Sequence, residues 1–169
     1  MGPRVVPAIG RYKSGVPAAV SWARWMIANL HEFSYDETRP LTYTTRPVIP
    51  ADCSWACAWL AHRAGWLMDP LTGLDSWPEW GNSASCYSTS RHIGIAQVRP
   101  GDFVTYGPDG DTHMAFVIER LLGNDLLCMS HGGPTGETPQ YQKNSVLKGL
   151  GVPTYCRVNT AARHPVMAP

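Results

Sequence analysis

Between residues 99 and 131 the chain reads "RPGD", then three apolar segments, "FVTYG", "HMAFVIERLL" and "DLLCMS". The last two are joined by "GND", a compact turn signal between strands. A further segment, "PTYCRV", follows a polar loop over 132–150. Strands in series with short turns pair antiparallel, and no alternation of strand and helix is present to build a parallel sheet. The helical signals lie upstream. In "AAVSWARWMIANLHEF" the apolar residues recur at 22, 25, 26, 30 and 33, which predicts a helix over about 18–33. In "ADCSWACAWLAHRAG" Asp52 is a preferred N-cap, good helix formers run to Ala64, and Gly65 stands where a left-handed C-terminal cap belongs. Helices first and strands after define an α+β fold, with N-terminal helices packed on an antiparallel sheet of about four to six strands.

The stretches between are less regular. Residues 34–50 carry three prolines and are expected to form a loop with one short edge strand, while 66–99, rich in Gly, Pro, Ser and Trp, hold short helices near 74–80 and 83–93. Long aromatic loops of this kind often wall a cleft. The expected organisation is an extended arm over 1–17, one domain over 18–158, and the start of a linker over 159–169 leading toward a further domain.

Composition narrows the function. Among 169 residues the formal net charge is +1 and the basic residues are scattered, so no footprint for nucleic acid or an anionic membrane is visible. No segment has the apolar core of a secretory signal or the roughly 20 apolar residues of a membrane span. Five cysteines, an odd number, fit reduced thiols better than a closed disulfide framework.

Cys53 stands in the first turn of the second helix. There the unpaired N–H groups and the positive end of the helix dipole stabilise a thiolate, and the same N–H groups can face the oxygen of a substrate carbonyl. Cys57, one turn deeper, lacks that advantage; with Leu60 and Ala64 it reads as packing on one helix face. A nucleophilic thiol needs a base. His113 opens one strand and His131 follows the next, so a tight turn near 123–125 brings the two together.

"DCS" at a helix start, "RPGDFVTY", "HMAFVIE" and a strand ending in "SHGG" together resemble the NlpC-like, papain-fold cysteine peptidases of cell walls, over roughly residues 18–158. The resemblance implies a papain-like fold, Cys53 as nucleophile, His113 as general base and His131 as the group that orients His113, with Asp52 supporting and Tyr35 or Tyr43 assisting the oxyanion site. It implies no metal or other cofactor. Trp55 replaces the glycine common after "DCS", and "HMAFV" replaces His-Val-Gly-Ile. "HMAFVIER" and "WPEWGNSAS" are also similar to the CHAP amidases of the same fold.

The implied activity is cleavage of an amide bond in a peptidoglycan stem peptide. The implied setting is a phage endolysin held in the host cytoplasm until lysis and then acting on the cell wall, with no nucleic-acid or membrane partner. Two alternatives remain. One is an amidase, of CHAP type or with zinc held by His113, His131 and a cysteine; the other is a wall-binding module in which Trp22, Trp55, Trp59, Trp66, Trp77 and Trp80 stack on sugars.

Overall fold

The computed structural model describes residues 15–36, 49–66, 82–133 and 136–158. In chain order these form α1 (Val16–Ala28), β1 (Phe33–Tyr35), β2 (Ile49–Ala51), α2 (Cys53–Arg63), α3 (Ser83–Thr89), β3 (Arg91–Ile93), β4 (Phe103–Tyr106), β5 (His113–Arg120), β6 (Leu126–Ser130), β7 (Gln140–Lys143), α4 (Asn144–Leu147) and β8 (Pro153–Arg157). Six strands make one sheet in the order β3-β8-β4-β5-β6-β7, antiparallel throughout. The other two, β1 and β2, pair parallel to each other, Tyr35 beside Ala51. The α+β expectation holds, with the sheet at the upper end of the expected size. No helix among the described residues is long and apolar enough to cross a membrane.

The second helix forms as its capping residues predict. The Asp52 carboxylate accepts from the Trp55 N–H at 2.6 Å and the Ser54 hydroxyl at 2.9 Å. At the other end Gly65 takes φ +77°, and the Trp66 N–H closes on the Ala61 carbonyl at 2.9 Å. The expected single buried face is too narrow a description, because every residue from Cys53 to Ala61 is buried. The sheet covers one side of α2 through Met114, Phe116, Ile118 and Met129, and α1 covers another. Trp59 stacks on Trp55 at 6.3 Å and meets Trp22 edge-on at 5.1 Å, and Trp66 sits edge-on to Phe103. These tryptophans therefore fill space between helices and sheet. Trp77 and Trp80 lie outside the described residues, as do Tyr43, most of the expected arm, the expected helix near 74–80 and the 159–169 tail.

The first helix departs from expectation at both ends. It starts at Val16, inside the predicted arm, with Pro17 in the first turn where no N–H is needed. It stops at Ala28 because Asn29 turns its side-chain amide onto the Trp25 carbonyl at 2.8 Å, while its own N–H reaches the same oxygen. One 3-10 turn (Leu30–Glu32) then leads into β1.

Side chains on β5 alternate between two apolar layers. Met114, Phe116 and Ile118 face α2, whereas Ala115 and Val117 pack with Val104, Tyr106, Cys128 and Leu147 on the opposite face. Burial on both faces is why "HMAFVI" reads as a continuous apolar run. The "polar loop" over 132–150 contains the edge strand β7 and the one-turn helix α4, whose polar residues hide the pattern.

The "RPGD" turn has a structural task. Asp102 accepts the Arg99 N–H at 2.8 Å and receives Arg157 from β8 in a two-pronged pair, Nε to Oδ1 at 2.8 Å and Nη2 to Oδ2 at 2.7 Å. Asp102 is buried while Arg157 stays partly solvated. Substituting Asp102→Ala removes both functions, and urea unfolding is expected to show a loss of about 2–3 kcal/mol. Asp102→Asn, keeping the turn but not the charge, should lose less.

Candidate active site

The end of β4, the start of β5 and the end of β6 lie together at one end of the sheet. His113 pairs in register with Tyr106, whose ring centroid is 6.0 Å away. Ala115 pairs with Ser130, so period-two alternation puts Ser130 on the face that His113 occupies. His113 Nε2 lies 2.8 Å from Ser130 Oγ, and the Ser130 hydroxyl donates to the Gly132 carbonyl at 3.0 Å. A hydroxyl has one proton. Since Ser130 gives its proton to Gly132, it must accept from His113, so the imidazole carries its proton on Nε2 and keeps a lone pair on Nδ1. Burial, seconded by the nearby His131, lowers the His113 pKa from 6.5 to about 4. His113 is therefore a neutral imidazole at neutral pH, with one nitrogen available as a base.

His131 does not make the orienting bond expected of it. It is buried and donates from Nε2 to the Ala51 carbonyl at 2.9 Å. Its ring stands between Tyr35, at 5.7 Å, and Phe33, at 6.4 Å. Burial lowers its pKa against the opposing pull of the Ala51 and Ser34 carbonyls and the Asp52 charge. The different partner of His131 has a geometric cause. Pairing between β5 and β6 slips by one residue between Val117 and Glu119, and a one-residue slip exchanges the two faces of a strand. Ser130, not His131, thus meets His113. Counting alternation from His113 through the hairpin would have found the serine only if the slip were known.

Cys53 is the first residue of α2 and, at 9%, the most exposed residue of its buried stretch to Ala61. Asp52 before it is spent on the cap just described. Tyr35 lies one strand over from Ala51, and its ring packs against Gly132, where φ is +72° and a Cβ would overlap the ring. The expected supporting residues Asp52 and Tyr35 are therefore both within this cluster. Burial and the neighbouring Cys53 push the Cys57 thiol well above its usual range, consistent with packing. Among the described residues no group of three His, Cys, Asp or Glu side chains is arranged to hold a metal ion. The two histidines offered as zinc ligands instead engage different partners, Ser130 and Ala51.

No family model matches the sequence, and no curated protein matches it. Solved structures do match the fold. The P60 domain of an antigen from Mycobacterium avium paratuberculosis superposes with a TM-score of 0.55 at 18% identity, covering 85% of this chain and 92% of that domain. RipD from Mycobacterium tuberculosis, described as a non-catalytic NlpC/p60 domain protein adapted to peptidoglycan binding, gives 0.55 at 17% identity over 87% of this chain and 99% of its own. RipB from the same organism, a peptidoglycan hydrolase, gives 0.54 at 19% identity over 93% and 72%. The fold is that of the NlpC/p60 domains, as the motifs imply.

A buried histidine kept neutral makes the fold acid-sensitive. The folded pKa of His113 lies below that of an exposed histidine, so the unfolded chain binds the proton more readily. Its contribution to stability is full above about pH 6.5 and is lost as the pH falls toward about 4. Urea titrations across that window are expected to show a loss on the order of 3 kcal/mol from this group. His113→Phe should flatten that part of the slope.

Proposed function

We propose that the chain is a cysteine peptidase of bacterial cell walls that cuts an amide bond in a peptidoglycan stem peptide. One observation carries the reading. The helix start bearing Cys53 and the hairpin bearing His113 are joined through a buried hydrogen bond from His131 to Ala51, beside an imidazole with a free Nδ1. A thiol at a helix mouth and a neutral base on the adjoining strand end are the two groups that acyl transfer to sulfur requires.

In the proposed reaction the Cys53 proton passes to His113 Nδ1 and the sulfur attacks the amide carbonyl carbon. The oxyanion faces the N–H groups of the first turn of α2, a kind of contact worth about 3–4 kcal/mol in comparable sites. His113 returns the proton to the leaving nitrogen as the C–N bond breaks. Water, deprotonated by His113, then attacks the thioester and releases the acid and the thiol. Positioned proton transfer of this kind contributes roughly 10²–10⁴ in rate. Ser130 holds the His113 tautomer. Tyr35, whose ring packs against Gly132, is the described tyrosine that supports an oxyanion role in this reading.

The finer reading is a phage endolysin, made in the host cytoplasm and reaching the wall at lysis. A CHAP-type amidase differs from it in the bond cut. The likeness to RipD favours a second reading, wall binding without turnover.

Cys53→Ala is expected to abolish release of free amino groups from purified peptidoglycan, by at least about 10⁴-fold, with little change in the unfolding midpoint. His113→Ala should do nearly the same. The acid limb of kcat/KM should fall near pH 4, where His113 takes up a proton, and not near 6.5. Mass spectrometry of released fragments identifies the bond. Wall binding with no fragments released by the wild-type protein would leave the binding reading in possession.

A further inference from the structure

Resting on the reading of Cys53 as nucleophile and His113 as base, we propose that His131 is a positioning residue for the nucleophile, holding the end of β2, which leads into Cys53 at the start of α2, against the β5–β6 hairpin that carries His113 and Ser130. Ser130 and His131 are consecutive at the end of β6 and face opposite ways, one toward His113 and the other toward Ala51.

The Ala51 carbonyl receives two donors, the Asp36 N–H at 2.9 Å and His131 Nε2 at 2.9 Å, which occupy both of its lone pairs. Because the peptide group is planar, fixing that oxygen fixes the Asp52 N–H and the direction in which the chain enters α2. On the other side of the same peptide, the Asp52 carboxylate is held by the Trp55 N–H and the Ser54 hydroxyl. Cys53 follows with little freedom left in its backbone. The path from nucleophile to base then runs Cys53, Asp52, Ala51, His131, Ser130, His113, with a hydrogen bond at each non-covalent step.

Two alternatives fit less well. As an acid–base partner of His113, His131 has its donor on the wrong group, since Nε2 is committed to a backbone carbonyl. As core filling, it carries a buried Nδ1 with no hydrogen-bond partner among the described residues, an arrangement that costs about 1–3 kcal/mol and that an apolar side chain avoids. A donor at Nε2 explains why an imidazole is kept. Misplacing a reacting group by about 1 Å can cost roughly 10² in rate, so a tether of this kind acts on turnover more than on substrate affinity.

The test compares His131→Ala and His131→Gln in the whole chain, because the glutamine amide can reach the place of Nε2 and donate but cannot titrate. Two quantities are read: turnover on purified peptidoglycan, and the rate at which iodoacetamide alkylates Cys53, followed by mass spectrometry with no substrate present. The alanine variant is expected to lose about 10–100-fold in kcat with KM within about threefold, and to alkylate more slowly. The glutamine variant should recover both rates to within about fivefold, with the acid limb unmoved. Should the alanine variant unfold, His131→Phe, which fills the space without a donor, replaces it. A folded glutamine variant as impaired as alanine or phenylalanine, or an alanine variant indistinguishable from wild type, overturns the tether. If the wild-type protein releases nothing from peptidoglycan, the peptidase reading fails by itself, and the alkylation rates still decide the role of His131.

Discussion

A helix buried from its first turn onward must find partners inside the protein for N–H groups that would otherwise face water. This constraint governs α2. Asp52 answers it by capping, and the Ala51 carbonyl one residue earlier answers the matching problem for the chain that enters the helix. Burial also dictates the composition of the helix. Alanines at 56, 58 and 61 let the sheet and α1 approach, and tryptophans at 55 and 59 fill what the alanines leave. In such a helix the mouth is the place where a reactive polar group can reach solvent, and Cys53 occupies it. Cys57, one turn in, shows the alternative, a thiol whose ionisation burial suppresses.

The same low-dielectric setting decides the charge state of His113. Two histidines next to each other in a buried site cannot both be charged, and each lowers its own proton affinity through desolvation. A carboxylate beside His113 would pull the other way and favour the imidazolium. Ser130 avoids this, because a hydroxyl fixes the tautomer without adding charge. The imidazole is thereby kept neutral at neutral pH, and the cost appears as acid sensitivity of the fold.

The parts of this arrangement that local chemistry dictates were legible from the chain. The Asp52 cap, the Gly65 terminator, the strands Phe103–Tyr106, His113–Arg120, Leu126–Ser130 and Pro153–Arg157 that form within the four expected apolar segments, and the hairpin that brings the 113 and 131 positions near each other all follow from residue type and spacing. What depends on pairing register was not. A bulge within β5 moves one partner by a single residue, and that residue decides whether serine or histidine meets His113. The end of α1 was missed because a side-chain amide at Asn29 substitutes for the next helical turn, a competition that apolar periodicity cannot reveal. Strand β7 was missed because an edge strand of Gln, Tyr, Gln and Lys has no apolar face to count.

The fold alone does not separate a hydrolase from a wall-binding relative, since proteins described in both ways share it at nearly equal likeness. The separation has to come from features that binding does not need. A binding surface gains nothing from a buried imidazole whose proton is held on one nitrogen while the other is left with a lone pair, nor from a carbonyl saturated by two donors just ahead of a helix-mouth thiol. Both arrangements limit motion between two specific side chains and add nothing to contact area. Their cost in desolvation and acid sensitivity is borne where no ligand has to be gripped, and the proposed turnover, unlike adhesion, has a use for that cost.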